Sequence, residues 1–342
     1  FANEIKKGLL LKTQKSQDVY WNQFLSWYFV QQKEYGKAFV QEKAVYKRNP
    51  DSFYNIVTLA KLAIDEKQNE EATSILTFVL ENTDNLDLQM QAHHFLVSME
   101  IELALEKDYL ALDLKLQGLL KKYGITPFSL ELQLLTAHFE AFYLKQTDLG
   151  KQLLQNALQL PLNIREESRV KMELADIMVY DEKFNQAILY YAQVEENLKN
   201  DVIAHEASFK LAKANFYKRD FDWTLQQVKN LKQSPSLLIA NDAVELFLLI
   251  EDNSVEDSLR IALQDYAKAD FQLYQKKNDE ALQSFLTILQ NHKGKSIEES
   301  TLFKVGKIYE EKNDYAKAIQ YYQNILEQHK DGIYKDEALF FS

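Results

Sequence analysis

"LADIMVYDEKFNQAILYYAQV", Leu174–Val194, aligns with "LAKANFYKRDFDWTLQQVKNL", Leu211–Leu231, at an offset of 37 residues. Leu-Ala opens both. Nine residues after the small residue (Ala175, Ala212) stands an aromatic, Phe184 or Phe221, and twelve after it stands another small residue, Ala187 or Thr224. A period of this length marks stacked helical hairpins. Small residues on two successive helices let them approach closely, and the aromatic packs where they turn. One hairpin cannot bury both of its apolar faces, so hairpins must stack.

The pattern extends in both directions. "VGKIYEEKNDYAKAIQYYQNI", Val305–Ile325, has Gly306, Tyr315, Ala318 and Tyr322 at the same spacings, and "KADFQLYQKKNDEALQSFLTI" has Ala269, Ala281 and Phe285, again 37 residues earlier. Upstream, "LSWYFVQQKEYGKAFVQEKAVYKRNP" gives Ser26, Tyr35, Ala38 and Pro50. "LAKLAIDEKQNEEATSILTFVL" gives Ala60, Asn69, Ala72 and Leu76, now at an offset of 34. Copies around Glu100/Leu112 and His138/Gly150 are degenerate. Pro50, Pro127, Pro161 and Pro235 all fall between the expected hairpins, where proline costs least.

Composition agrees. Of 342 residues only 8 are Gly and 4 Pro, which favours helix almost everywhere. Nothing alternates apolar and polar between Gly-rich turns, so no sheet is expected. The absence of cysteine excludes disulfides, thiolate nucleophiles and Cys-ligated metals. No segment is apolar enough to cross a membrane. The net charge of −11 argues against nucleic acid as the main partner. The charge is uneven: residues 1–50 carry nine Lys or Arg against four acids, and 51–100 carry two against nine. Two differently solvated faces explain this; so does a basic end that docks on something acidic.

Small residue, aromatic at the turn, small residue, aromatic four further on, and a closing Pro in places: this resembles the tetratricopeptide repeat (TPR) family. The resemblance covers nearly the whole chain, although Trp is missing from the usual first-helix position. It implies an all-α, right-handed superhelical solenoid of about eight helix pairs. The last copies, through "DEALFF", resemble repeats of bacterial envelope-assembly proteins, so a periplasmic location is expected, with the cytoplasm as the alternative. Phe1 begins in mid-pattern, and "DEALFFS" begins a further first helix, so more chain is expected on both sides.

One stretch departs from the period. Ala212 to Ala269 is 57 residues, which is 37 plus 20, one helix and a turn. "LLIANDAVELFLLI", Leu237–Ile250, supplies that helix and is apolar almost all round, so it should be covered on more than one side. The expected organisation is an N-terminal block over 1–233, an elbow over 234–276 and a C-terminal block over 277–342. The elbow holds the extra helix near Ser236–Glu251, then a long helix from about Val255 to Lys276 capped by Asn253 or Ser254, with Glu256 and Asp257 in its first turn. The extra helix either repairs packing, as a buried spacer, or changes the superhelix direction or contacts a partner helix.

The chain shows no catalytic constellation. "HKGKS", His292–Ser296, lacks the second glycine and the preceding strand of a phosphate loop, and reads as a turn between repeats. His93 and His94 are adjacent and point apart on a helix, a poor metal pair. Neither enzyme activity nor any cofactor is expected.

What remains is surface. The resemblance implies that first-helix positions −6, −3, +1, +4 and +5, counted from the small residue, face a concave groove. In the first copy these are Tyr20, Gln23, Trp27, Val30 and Gln31. In the later copies they place Phe209, Lys213, Tyr217, Tyr266, Asp270, Tyr274 and Phe303 together as a partner-binding set. The phenols of Tyr217 and Tyr274 should reach the surface. The +1 series Asp176, Lys213, Asp270, Lys307 either bridges neighbouring helices or meets a polar ligand. The expected function is a non-catalytic scaffold binding a peptide or protein segment. The alternatives are a sensory or regulatory region of a larger enzyme or transcription regulator, and a structural oligomer filling its groove with its own copy.

Overall fold

The computed structural model describes residues 2–16, 18–199, 201–234, 236–255, 259–329 and 332–341. Among them every regular element is a helix. Two compact units divide the chain: Phe1–Lys145 with Gln155–Leu160, and Gln146–Leu154 with Pro161–Ser342.

In the first unit α1 (Ala2–Lys15) precedes the pairs α2 (Val19–Gln31) with α3 (Tyr35–Tyr46), α4 (Phe53–Asp65) with α5 (Asn69–Asn82) and α6 (Leu86–Leu103) with α7 (Tyr109–Tyr123). Next come α8 (Leu130–Phe142) and α9 (Thr147–Ala157), the latter divided between the units. The second unit continues with α10 (Ile164–Tyr180) and α11 (Phe184–Asn197), then α12 (Val202–Tyr217) and α13 (Phe221–Leu231). After these stands α14 (Leu237–Val255), followed by α15 (Ile261–Tyr274) with α16 (Asn278–Asn291), α17 (Ile297–Glu311) with α18 (Tyr315–Gln328), and α19 (Lys335–Phe341). Among the described residues seven pairs of successive helices pack as hairpins, α2 with α3, α4 with α5, α6 with α7, α10 with α11, α12 with α13, α15 with α16 and α17 with α18, and α14 stands outside them, in a TPR-type all-α solenoid fold.

The repeat positions behave as packing requires. Ala38, Ala60, Ala72, Ala175, Ala187, Ala212, Ala269 and Ala281 are wholly buried. Tyr191, Phe285 and Tyr322, sixteen residues after their small residues, are among the largest fully buried side chains. At Gly306 the fit is closest: a Cβ there would lie 2.5 Å from the Tyr322 ring.

The turns inside six of the hairpins share one geometry. Lys33, Lys67, Glu182, Arg219, Lys276 and Asn313, each seven residues after the small residue, adopt φ between 55° and 68°. The next amide reaches back across the helix end, as in Glu34 N to Phe29 O at 2.9 Å, Asp220 N to Asn215 O at 2.9 Å and Asp314 N to Tyr309 O at 2.9 Å. Together with the bond from the left-handed residue itself (Arg219 N to Phe216 O, 2.9 Å), this closes a Schellman motif on a residue that is not glycine. Lys145 also has positive φ, whereas the degenerate copy at Glu100 turns through a 3-10 helix, Glu106–Asp108.

The elbow differs from expectation in three respects. First, α14 runs on to Val255, and no helix spans 255–276; α15 starts at Ile261, after Arg260 at φ 53°. Second, Asn253 and Ser254 cap nothing. They lie inside α14 and donate to Leu249 O (2.8 Å) and Ile250 O (2.6 Å), a back-bonding that short polar side chains make within helices. Glu256 and Asp257 lie outside the described residues. Third, burial is one-sided at the start: Ile239, Ala243, Leu246, Phe247, Leu249 and Ile250 are buried, but Leu237 and Leu238 are 80% and 72% exposed. The "HKGKS" stretch is the expected turn, between α16 and α17.

Candidate functional site

In the second unit α10, α12, α15 and α17 are the first helices of their hairpins. α14 packs along α13, where the first helix of a next pair would lie, and also touches α12, α15 and α17. It thereby covers part of the face that these first helices share. α15 turns back onto the same face: Tyr274 donates its hydroxyl to Asp176 O in α10 (2.8 Å), and Gln275 Nε2 donates to Tyr180 O (2.9 Å).

This explains where the candidate residues go. Lys213 of α12 pairs with buried Asp270 of α15, and its ammonium lies 4.8 Å from the centre of the Tyr217 ring. Lys304 of α17 stands 3.8 Å from the other oxygen of Asp270. Burial opposes ionisation of Asp270, but the two lysines outweigh it and hold the carboxyl below its ordinary range. Tyr217 packs its ring against Phe271 (5.1 Å) and Tyr274 (5.8 Å). Burial first, then the Asp270 carboxylate, raises its phenol well above the usual value. The phenols expected at the surface are therefore engaged inside the molecule, because α15 folds over them. Phe303 stacks on Tyr334 at 4.4 Å.

The +1 series divides. Lys213 and Asp270 bridge two hairpins. Asp176 instead accepts from Lys210 (2.7 Å) and from Tyr191, while Lys307 pairs within its own helix with Glu310 (3.0 Å).

Four of the seven candidates meet at one cavity of about 190 Å³. Phe209, Lys213, Tyr266 and Asp270 line it together with Lys304 and, from α14, Asp242, Glu245, Leu246 and Leu249. Tyr217, Tyr274 and Phe303 do not line it. Its wall is part apolar and part charged: Lys213 and Lys304 meet at Asp270, and α14 adds Asp242 and Glu245. Glu245 accepts the Tyr334 hydroxyl at 2.6 Å. Asp242 makes no hydrogen bond or ion pair among the described residues, and burial, followed by repulsion from Glu245, raises its carboxyl. Sequence reasoning missed Asp242, Glu245 and Lys304. The acids sit on a helix read for its apolar residues, and Lys304 lies two positions before Gly306, a row not considered. Among the described residues no cluster of three or more His, Asp or Glu could hold a metal ion, and no helix is long and apolar enough to cross a membrane.

In the first unit the same face is open. Tyr20, Phe24 and Trp27 of α2, at positions −6, −2 and +1, are 54%, 37% and 54% exposed. Their rings form a near-parallel ladder, Tyr20 to Phe24 at 6.2 Å and Phe24 to Trp27 at 5.6 Å. Position −6 of the next hairpin is Tyr54, 54% exposed.

Paired helices, six of the pairs with one turn geometry, stacked through small residues, define this chain as having a TPR-type helical-repeat fold. No protein-family model and no curated protein matches it. Similar solved structures include a tetratricopeptide repeat protein from Parabacteroides merdae, 11% identical over 74% of this chain and 98% of that one, TM-score 0.38. A signal transduction ATPase with a tetratricopeptide repeat sensor from Pyrococcus horikoshii is 13% identical, with all of this chain matching half of that one, TM-score 0.49. A Rap protein complexed with Competence and Sporulation Factor is 15% identical over 84% and 78%, TM-score 0.39. These likenesses concern the fold.

Proposed function

We propose that the protein is a non-catalytic scaffold that binds a peptide or protein segment on the first-helix face of its second unit. The observation that carries this reading is the cavity between α12, α14, α15 and α17, where four residues chosen by repeat phase alone stand with Asp242, Glu245 and Lys304. A site with an apolar wall and charges of both signs suits a side chain that is apolar along its stem and charged at its tip. About 190 Å³ accommodates one such side chain, so the rest of the segment would lie along the neighbouring helices. Location in the bacterial envelope, on the periplasmic side, is part of the same proposal and draws on the resemblance of the last repeats; fractionation of the native host checks it.

Binding is tested with a photo-crosslinking amino acid at position 242. The intact protein should capture one partner segment, and Lys304→Glu should weaken that partner about tenfold or more in titration. An affinity unchanged by both Lys304→Glu and Asp242→Lys would remove the cavity from the binding site.

A further inference from the structure

In α7 the outward side is leucine. Leu110 and Leu114 stand at i and i+4, so they share one face of the helix, and they are 70% and 66% exposed. Leu103 and Leu105, at the turn from α6, are 69% and 62% exposed. Among the described residues the second helix of every other hairpin leaves at most one large apolar side chain exposed. A single exposed leucine is ordinary, but these four within twelve residues form a patch that marks a contact surface.

Gly118 lies on the same face, one turn beyond Leu114. Glycine inside a helix is destabilising relative to alanine. Nothing within the chain requires it here, because a Cβ at Gly118 would meet no atom within 4 Å. Charge is polarised along the helix. Its N-terminal end has Glu102, Glu106 and Asp108 against Lys107, and its C-terminal end has Lys121 and Lys122.

We propose that this face of α7 joins two copies of the chain as a two-fold, antiparallel helix pair centred on Leu114. The face lies on the second helix of its hairpin, not on the first-helix face. What selects a second copy is self-complementarity, which a two-fold interface demands. In antiparallel register about Leu114 the two Leu114 side chains meet, and Leu110 of each copy falls opposite the partner's Gly118. The glycine then has the reason it lacks in a single chain: it leaves room for a leucine. Glu106 falls opposite the partner's Lys122, and the acidic end of each helix lies along the basic end of the other. Lys107 comes opposite the partner's Lys121, a like-charge pair that Glu106 and Asp108 flank. A parallel pair would set acids against acids and lysines against lysines, so charge chooses the antiparallel arrangement.

Sedimentation velocity on the full chain tests this. An interface built around one helix per copy is small, and its dissociation constant should fall at about 1–100 µM. Leu114→Glu, which sets two carboxylates at the axis, should weaken the dimer about tenfold or more. Gly118→Gln should do the same by filling the seat of the partner's Leu110. In dilute solution Gly118→Gln should melt no lower than the parent, since its side chain enters open space and glutamine is the better helix former. Glu106→Lys should weaken the dimer, and adding Lys122→Glu should restore it, because the exchanged pair is rebuilt across the axis. Leu189→Glu, at an exposed leucine of α11, should leave dimerisation unchanged. The substituted positions are exposed, and circular dichroism verifies that the variants fold. A monomer at every concentration up to about 200 µM would overturn the proposal and leave the face to another protein. A dimer indifferent to Leu114→Glu and Gly118→Gln would overturn it too, as would a loss from Glu106→Lys that Lys122→Glu does not recover.

Discussion

Replacing Arg219 by glycine should stabilise the second unit. Arg219 closes the α12–α13 hairpin at φ 68°, a left-handed conformation that costs a residue with a Cβ about 1–2 kcal/mol. Its side chain is exposed and makes no hydrogen bond or ion pair among the described residues, so removing it forfeits no contact. Glycine returns about 0.4–1 kcal/mol of the gain through the greater freedom of its unfolded chain. The net is a stabilisation of about 0.5–1 kcal/mol. Glu182, at φ 61° and equally exposed, should behave alike. The two sites belong to different hairpins, so their effects should add to about 1–2 kcal/mol. Asn313, at φ 59°, is the internal control: asparagine tolerates this conformation, and Asn313→Gly should change little. Urea denaturation followed by circular dichroism reads the midpoints directly. A midpoint lowered by Arg219→Gly, or raised as much by Asn313→Gly, would refute the reasoning.

Gly306→Ala should destabilise by about 1–3 kcal/mol although alanine is the better helix former, because the new Cβ meets the Tyr322 ring at 2.5 Å; a thermal midpoint at or above the parent's would show that the ring can give way. Glu140 supplies a pH dependence. Burial first, then the nearby Asp113 carboxylate, raises its carboxyl from 4.5 to about 7, so the folded chain holds a proton that the unfolded chain has released in that window. Stability of the first unit should therefore be full below about pH 4.5 and fall by up to about 3 kcal/mol as pH rises through 7. Glu140→Gln should flatten that slope in urea midpoints taken at pH 5 and pH 8; an unchanged slope would assign the effect to other groups.

The hairpin phase was legible because close helix contact leaves no freedom at Ala175, Ala187 or Gly306, and their spacing survives in a single sequence. The extra helix was legible as a length surplus of twenty residues. Its end was not, because Asn253 and Ser254 favour a cap by type but here bond back to Leu249 O and Ile250 O inside the helix. The left-handed turns passed unnoticed because none of the six Schellman positions is glycine, the residue by which such turns are ordinarily found. The candidate site was half legible. Repeat phase placed Phe209, Lys213, Tyr266 and Asp270 on one face, but phase carries no information on what lies above that face, and α15 took Tyr217 and Tyr274 out of reach.

The bond from Tyr274 to the backbone of Asp176 joins residues 98 apart in sequence. In a stack of hairpins each repeat needs only its neighbour, so order can spread from any point and fray from either end. Here α15 can settle only after α10 and α12 have been brought together, and the chain between them must be closed as a loop before that contact rewards it. The second unit should therefore assemble in a set direction, α10 to α13 first and α15 to α18 after. A ribosome that releases the chain from its N-terminus delivers the segments in that order.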